Sequence, residues 1–157
     1  MSPILEGLAA EFETLTWEES HGQDVVHVPR EQWLELATAL KEAGFEVCAD
    51  VTAVDWMRKR PERYEVVAAL LSMQHRLRLR MVVGLERDDP VIASLTPLWP
   101  GANFAEREVW DMFGIRFEGH PDLTRILMPD DWEGHPLLKD FAVGAVPVQF
   151  KHAHQVD

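Results

Sequence analysis

A chain of 157 residues has room for one domain with a substantial core, and its longest uninterrupted apolar run, 66–71, is far too short to span a bilayer. The 27 Asp and Glu against 15 Lys and Arg leave a formal net charge of −12, which disfavours nonspecific attraction to nucleic acid or an anionic lipid surface and points to protein or basic partners. A single cysteine, Cys48, rules out an internal disulfide and any iron–sulfur cluster held by this chain's thiolates alone, and a reducing compartment is the simplest setting. The amino terminus is acidic and amphipathic, unlike a basic signal peptide, so the chain reads as soluble unless something else tethers it.

In chain order, Ser2 and Pro3 predict a helix cap and first turn, and Leu5, Leu8, Ala9 and Phe12 mark one apolar face of a short helix. Residues 14–19 and 24–28 are β-rich and flank His21, Gly22 and Gln23, a hairpin pattern. Pro29 precedes a second helix in which Trp33, Leu36, Ala37 and Leu40 share a face and Gly44 is the stop. Over 45–56 the alternation predicts a strand with Phe45, Val47, Ala49 and Val51 on one side and Glu46, Cys48, Asp50 and Thr52 on the other. A basic loop over 58–62 leads to a strand over 64–73, then to a reversal near Gln74 and His75 and a strand through Leu85. There Arg76, Arg78 and Arg80 alternate with Leu77, Leu79 and Met81 and should share one face, either solvated or set against an acidic partner. Pro90, Pro97 and Pro100 leave room for at most a short helix over 91–98. The expected architecture is a single α+β domain over 1–140: helix, two strands, helix, three strands in a mixed sheet covered by helices, then a further helix and a loop-rich segment. Residues 141–157 read as an extended tail.

The chain is organised around Asn103-Phe-Ala-Glu-Arg-Glu-Val-Trp-Asp-Met-Phe-Gly114 and the loop-rich segment beyond it. Asn103 can cap a helix whose third position is Glu106, a capping-box pattern, and Gly114 ends it. Ala105, Val109 and Met112 form the apolar stripe; Glu106, Arg107, Glu108 and Asp111 occupy the other faces, with Arg107 and Asp111 spaced to pair. Glu-Gly-His-Pro then occurs twice, at 118–121 and 133–136, each copy holding a histidine on a rigid corner. Of the six tryptophans, Trp110 lies off the stripe and reads as an interface anchor, whereas Trp99 and Trp132 fit core or interface equally.

Chemistry-bearing patterns are few. His120 and His135, with Asp122 or Asp131, could build a metal site for a freestanding hydrolase, but no helical His pair is present, and a histidine before proline is more often a corner with its ring nitrogens bonded to backbone. His152 and His154 make a weak pair on the tail. Cys48 reads as an inert strand thiol, no nucleophile elbow surrounds Ser72 or Ser94, and Gly114 and Gly119 stand in the wrong order for a phosphate cradle.

The run from Asn103 to Ile115, with Phe117-Glu-Gly-His-Pro-Asp-Leu123, Arg125-Ile-Leu127, Asp131-Trp-Glu-Gly-His-Pro-Leu137 and Lys139-Asp-Phe141, closely resembles the signature of the C-subunit (30 kDa subunit) family of proton-pumping NADH:quinone oxidoreductase, respiratory complex I. Gly44, Phe45, Ala49, Asp50, Val51 and Asp55 extend the similarity upstream. The resemblance implies a small α+β subunit of the hydrophilic peripheral arm, on the cytoplasmic side of the cell membrane. It further implies that no cofactor is bound by this chain, with FMN, iron–sulfur clusters and quinone held elsewhere in the complex. The implied partners are the quinone-pocket D-subunit and the cluster-bearing B-subunit; an equivalent subunit of a membrane-bound hydrogenase or ferredoxin-linked quinone reductase is the alternative. Carried over, Glu106, Arg107, Glu108, Trp110, Asp111, Gly114, His120, Pro121, Arg125, Asp131, Trp132, Gly134, His135, Pro136, Lys139 and Asp140 would be structural and interface residues, none a catalyst. Arg125 and Lys139 are expected to meet a carboxylate or carbonyl in the assembly. Thr124, Leu138 and Ala142 depart from the family pattern, two of them where a positive charge is usual.

Overall fold

A computed structural model describes residues 1–142 and 144, so most of the expected tail lies outside the described residues. Helix α1 (Pro3–Glu11) starts at Ser2, whose hydroxyl accepts from Leu5 N–H. Strands β1 (Thr16–Ser20) and β2 (Gln23–His27) are joined by His21 and Gly22 at φ 55° and 72°, the two left-handed residues that a type I′ hairpin turn requires. A 3-10 turn over Arg30–Gln32 leads into α2 (Trp33–Glu42), and Trp33, Leu36, Ala37 and Leu40 are buried as their spacing predicts. Strands β3 (Val47–Asp55), β4 (Tyr64–Ser72) and β5 (Leu77–Leu85) complete a five-stranded sheet in the order β1-β2-β5-β4-β3. Only β2 and β5 run parallel, so the sheet is mixed, and the order of elements is the one expected.

The helices pack on one face of that sheet. Leu5, Leu8, Trp33, Leu36 and Leu40 cluster with the inward residues Val26, Met81, Ala68 and Val51, which stand in register across four strands. Trp99 joins this core and donates from its indole N–H to Phe45 C=O at 3.0 Å.

Three expectations need correction here. The regular alternation over 45–56 is broken by a bulge between Cys48 and Asp50, which reverses the inward parity: Val47 is 38% exposed, whereas Cys48 lies on the core side before the bulge and Val51, Ala53 and Asp55 after it. Arg76 belongs to the turn, at φ 54°, so only Arg78 and Arg80 share the strand face. The segment expected to be at most a short helix instead forms β6 (Val91–Ala93), paired in parallel with β7 (Arg116–Glu118). Between them runs α3 (Ala102–Phe113), packed against β3.

Candidate docking surface

Helix α3 begins one residue earlier than its apparent cap. Gly101 occupies the N-cap with no side-chain bond, so the Asn103–Glu106 capping box does not form. Glu106 turns into the core instead, fully buried, where Leu95 N–H and the Ser94 hydroxyl each donate to it at 2.6 Å. Among the described residues no cation bonds to it, and burial pushes its carboxyl up to about 7 against the opposing pull of the Ser94 and Leu95 bonds. It ties α3 to the loop after β6.

Asp111, five residues on and about 140° around the helix axis, is also fully buried, but by a different part of the chain. A strap over 120–141 crosses α3 there. One carboxylate oxygen accepts from the Arg125 guanidinium; the other accepts N–H bonds from Ile126, Leu127 and Met128 at 3.0, 2.8 and 2.9 Å. Burial opposes ionisation, but the Met128 N–H, the Arg125 guanidinium and the Leu127 and Ile126 N–H groups outweigh it and hold the carboxyl down at about 2. Arg125 also donates to Trp132 C=O at 2.8 Å and Gly134 C=O at 3.1 Å. The carboxylate expected to meet Arg125 in an assembly is therefore already supplied by this chain.

The expected Arg107–Asp111 pair does not form either. Arg107 donates to the carbonyls of Thr124 and Arg125 at 3.1 and 2.9 Å, so the position departing from the family pattern at 124 is used through its backbone. His120 bonds Asn103 C=O at 3.2 Å and accepts from Asp122 N–H at 3.0 Å; His135 Nδ1 meets Asp111 C=O at 2.9 Å. Both corners thus spend ring nitrogens on backbone, and among the described residues no three His, Cys, Asp or Glu groups gather as a metal would need. His135 also packs edge-on against Trp110, over which Arg125 lies 5.6 Å from the ring centre. Trp110 is half-buried beneath its own strap. Gly114, at φ 76°, leaves room for His135: a Cβ there would sit 2.8 Å from the imidazole. Past Gly134, Trp132 stacks on Phe141.

The far end of the strap is fastened to the sheet. Buried Asp55, closing β3, accepts from Arg63 at 3.0 and 2.8 Å, Met57 N–H at 2.8 Å and Lys139 N–H at 2.9 Å. Arg63 also reaches Asp140 at 2.7 Å. These bonds overcome the burial penalty and hold Asp55 down at about 2, and they raise Arg63 above its ordinary value. Lys139 contributes its backbone to this clasp. Motif reading missed Arg63, the buried cation that joins Asp55 to Asp140; its one signal is an arginine standing just before the strand whose first residue, Tyr64, pairs with Asp55.

Glu108, Pro121, Asp131 and Lys139 are exposed, and Pro136 is half-buried. Beside them stand apolar side chains open to solvent: Phe104 at 63%, Leu127 at 55%, Leu137 at 52% and Ile126 at 37%. Such side chains on a fixed backbone are what a docking surface requires.

The family described as respiratory-chain NADH dehydrogenase, 30 kDa subunit, matches residues 26–146. The NADH-quinone oxidoreductase C-subunit of Moorella thermoacetica is 46% identical over 142 residues, covering 90% of this chain and 95% of that one. Its counterpart from Saccharopolyspora erythraea is 46% identical over 135 residues, covering 84% and 54%. This chain spans about half the length of that relative and of the one from Salinispora arenicola, 54% and 55%. Among solved structures, a trypsin-resistant fragment (1–134) of Nqo5 superposes with a TM-score of 0.71 at 37% identity, covering 76% of this chain and 99% of the fragment. A chain of an archaeal respiratory membrane complex, the membrane-bound sulfane sulfur reductase, shares the fold at TM-score 0.78 and 21% identity, over 98% of this chain and 96% of that one. The chain belongs to the 30 kDa subunit family of respiratory-chain NADH dehydrogenase.

Proposed function

We propose that the chain is a non-catalytic structural subunit of the peripheral arm of a proton-translocating NADH:quinone oxidoreductase, on the cytoplasmic side of the membrane, packed against the quinone-pocket D-subunit and the cluster-bearing B-subunit. In this reading it holds no cofactor; FMN, iron–sulfur clusters and quinone belong to its neighbours. The observation that carries the reading is the strap: Phe104, Ile126, Leu127 and Leu137 are presented to solvent on and beside a segment fixed by two buried carboxylates, Asp111 and Asp55. Ordering such a segment in advance lowers the entropy lost on association. In this reading membrane attachment comes through the complex; among the described residues no helix is long and apolar enough to cross a membrane.

The test is affinity purification of the tagged chain from gently solubilised membranes of its source, with identification of co-purifying subunits and an optical spectrum. Flavin and iron–sulfur subunits that oxidise NADH are the expected result. Hydrogenase or ferredoxin-linked subunits would keep the assembly role and change the electron donor. A lone chain loaded with metal would overturn it.

A further inference from the structure

The strap lies on the helical side of the molecule, and the opposite face of the five-stranded sheet has none of the three helices against it. Val25, Val67 and Val82 point to that face and stand outside the core cluster. The loop over 56–63 covers one end: Glu62 lies above Gly84, where a Cβ would come within 2.8 Å of it, and Arg60 pairs with Glu65 alongside. At the other end Val25 is still only 4% exposed, whereas Val47 is 38% exposed and Leu71 half-buried.

Sequence and charge at that open end do not fit a wetted surface. A sheet with one wet face alternates apolar and polar residues, whereas a strand covered on both faces is apolar throughout. Central strand β4 follows the second pattern: Val66, Ala68 and Leu70 point to the core, and Val67, Ala69 and Leu71 point away and are half-buried. Val47 and Arg78 flank Leu71 in the same cross-strand row. Arg78 is exposed with no acidic partner among the described residues, while Arg80, in the next row, donates to Ser20 C=O and keeps a buried Nε with no acceptor. Of the carboxylates on this face, Glu18 pairs with His27 and Glu65 with Arg60, whereas Asp50, in the row of Ala69 and Arg80, is exposed with no ion-pair partner among the described residues. On a chain of net charge −12, an apolar strip beside two guanidinium groups with no ion-pair partner among the described residues is complementary to an apolar surface edged with carboxylates.

We infer that this open sheet face is a second docking surface, occupied in the assembly by a partner protein whose contact region is apolar and presents carboxylates to Arg78 and Arg80. The inference rests on reading the chain as an assembly subunit, and the partner on this face is chemically distinct from one fitted to the strap, where exposed Glu108, Asp130, Asp131 and Glu133 border the apolar residues.

The test compares the purified full chain with the gently solubilised assembly, using Leu71→Cys and Arg78→Cys separately. Native Cys48 remains in place, because burial pushes its thiol up to about 11 and it reacts slowly. Maleimide should label both new cysteines in the free chain and do so roughly tenfold more slowly in the assembly, as expected for positions under an interface that excludes water. Arg78→Glu should leave the unfolding midpoint of the free chain unchanged and lower recovery of one neighbouring subunit roughly fivefold. Equal labelling in both samples overturns the inference, as does protection in the free chain accompanied by a doubled mass, which would make the occupant a second copy. A chain that co-purifies with no subunit sinks the assembly reading as well.

Discussion

Glu106 and Asp111 are two carboxyls on one helix, both sealed from water, yet their surroundings move them in opposite directions. Asp111 meets a guanidinium and three backbone N–H groups; Glu106 meets one N–H and one hydroxyl, with no cation among the described residues. Burial alone therefore says little about a carboxyl's charge. What decides is how many donors the surrounding chain brings to it.

The comparison breaks most sharply at Asp111. Asp111→Ala deprives the largely buried Arg125 guanidinium of its carboxylate and leaves three N–H groups without their acceptor, at a cost of about 3–5 kcal/mol. Denaturant unfolding should show that loss, with proteolytic cleavage appearing first within 120–141; a loss below about 1 kcal/mol would mean that the strap is not held by this carboxylate.

The pH dependence comes next. Asp111 sits below its ordinary value of 3.8, so its stabilising contribution is full above that pH and disappears as pH falls through about 2. Glu106 has the opposite sign. Raised from 4.5 to about 7, it contributes most below pH 4.5, and the contribution is lost as pH rises through 7, a change of roughly 3 kcal/mol. Wild type minus Glu106→Gln stability should therefore fall between those pH values and be flat above them. A difference that rises over the same interval would show that the carboxyl is held ionised after all.

Smaller effects sharpen the same contrast. Gly114→Ala, strained at φ 76° and crowding His135, should cost about 1–3 kcal/mol and loosen the corner that leans on Asp111 C=O, as a shift of the His135 ring resonances would report. Ser94→Ala removes one of Glu106's two donors, costs about 1 kcal/mol, and should move the Glu106 titration further up. A downward movement would contradict the assignment of that hydroxyl as donor.

Local periodicity made much of the fold legible. The hairpin at His21 and Gly22, the faces of α1 and α2, and the order of the first seven elements all depend on residues close in sequence. The misreadings have a common cause in contacts made far along the chain. Glu106 looked like a capping partner because Asn103 stands three residues before it, but Leu95 N–H and Ser94 win the carboxylate. The three-residue strands β6 and β7 carry too little alternation to be seen singly and exist only as a pair. The bulge beside Cys48 adds one residue to β3 and inverts its pattern. In the central stretch the residue types were legible, while their partners were not: Arg107 and Arg125 both turned toward carbonyls and a carboxylate of the same chain.

The clasp at Asp55 also sets a timetable. Arg63 and Asp55 are neighbours in a hairpin and can pair as soon as that hairpin emerges from the ribosome, but Asp140 follows Arg63 by 77 residues and Lys139 follows Asp55 by 84. Until then the sheet holds an ion pair with one acceptor site and one donor site still open to water. The arrival of the strap is thus the last event in completing that corner, and a nascent chain displays a finished docking surface only after the sheet beneath it exists.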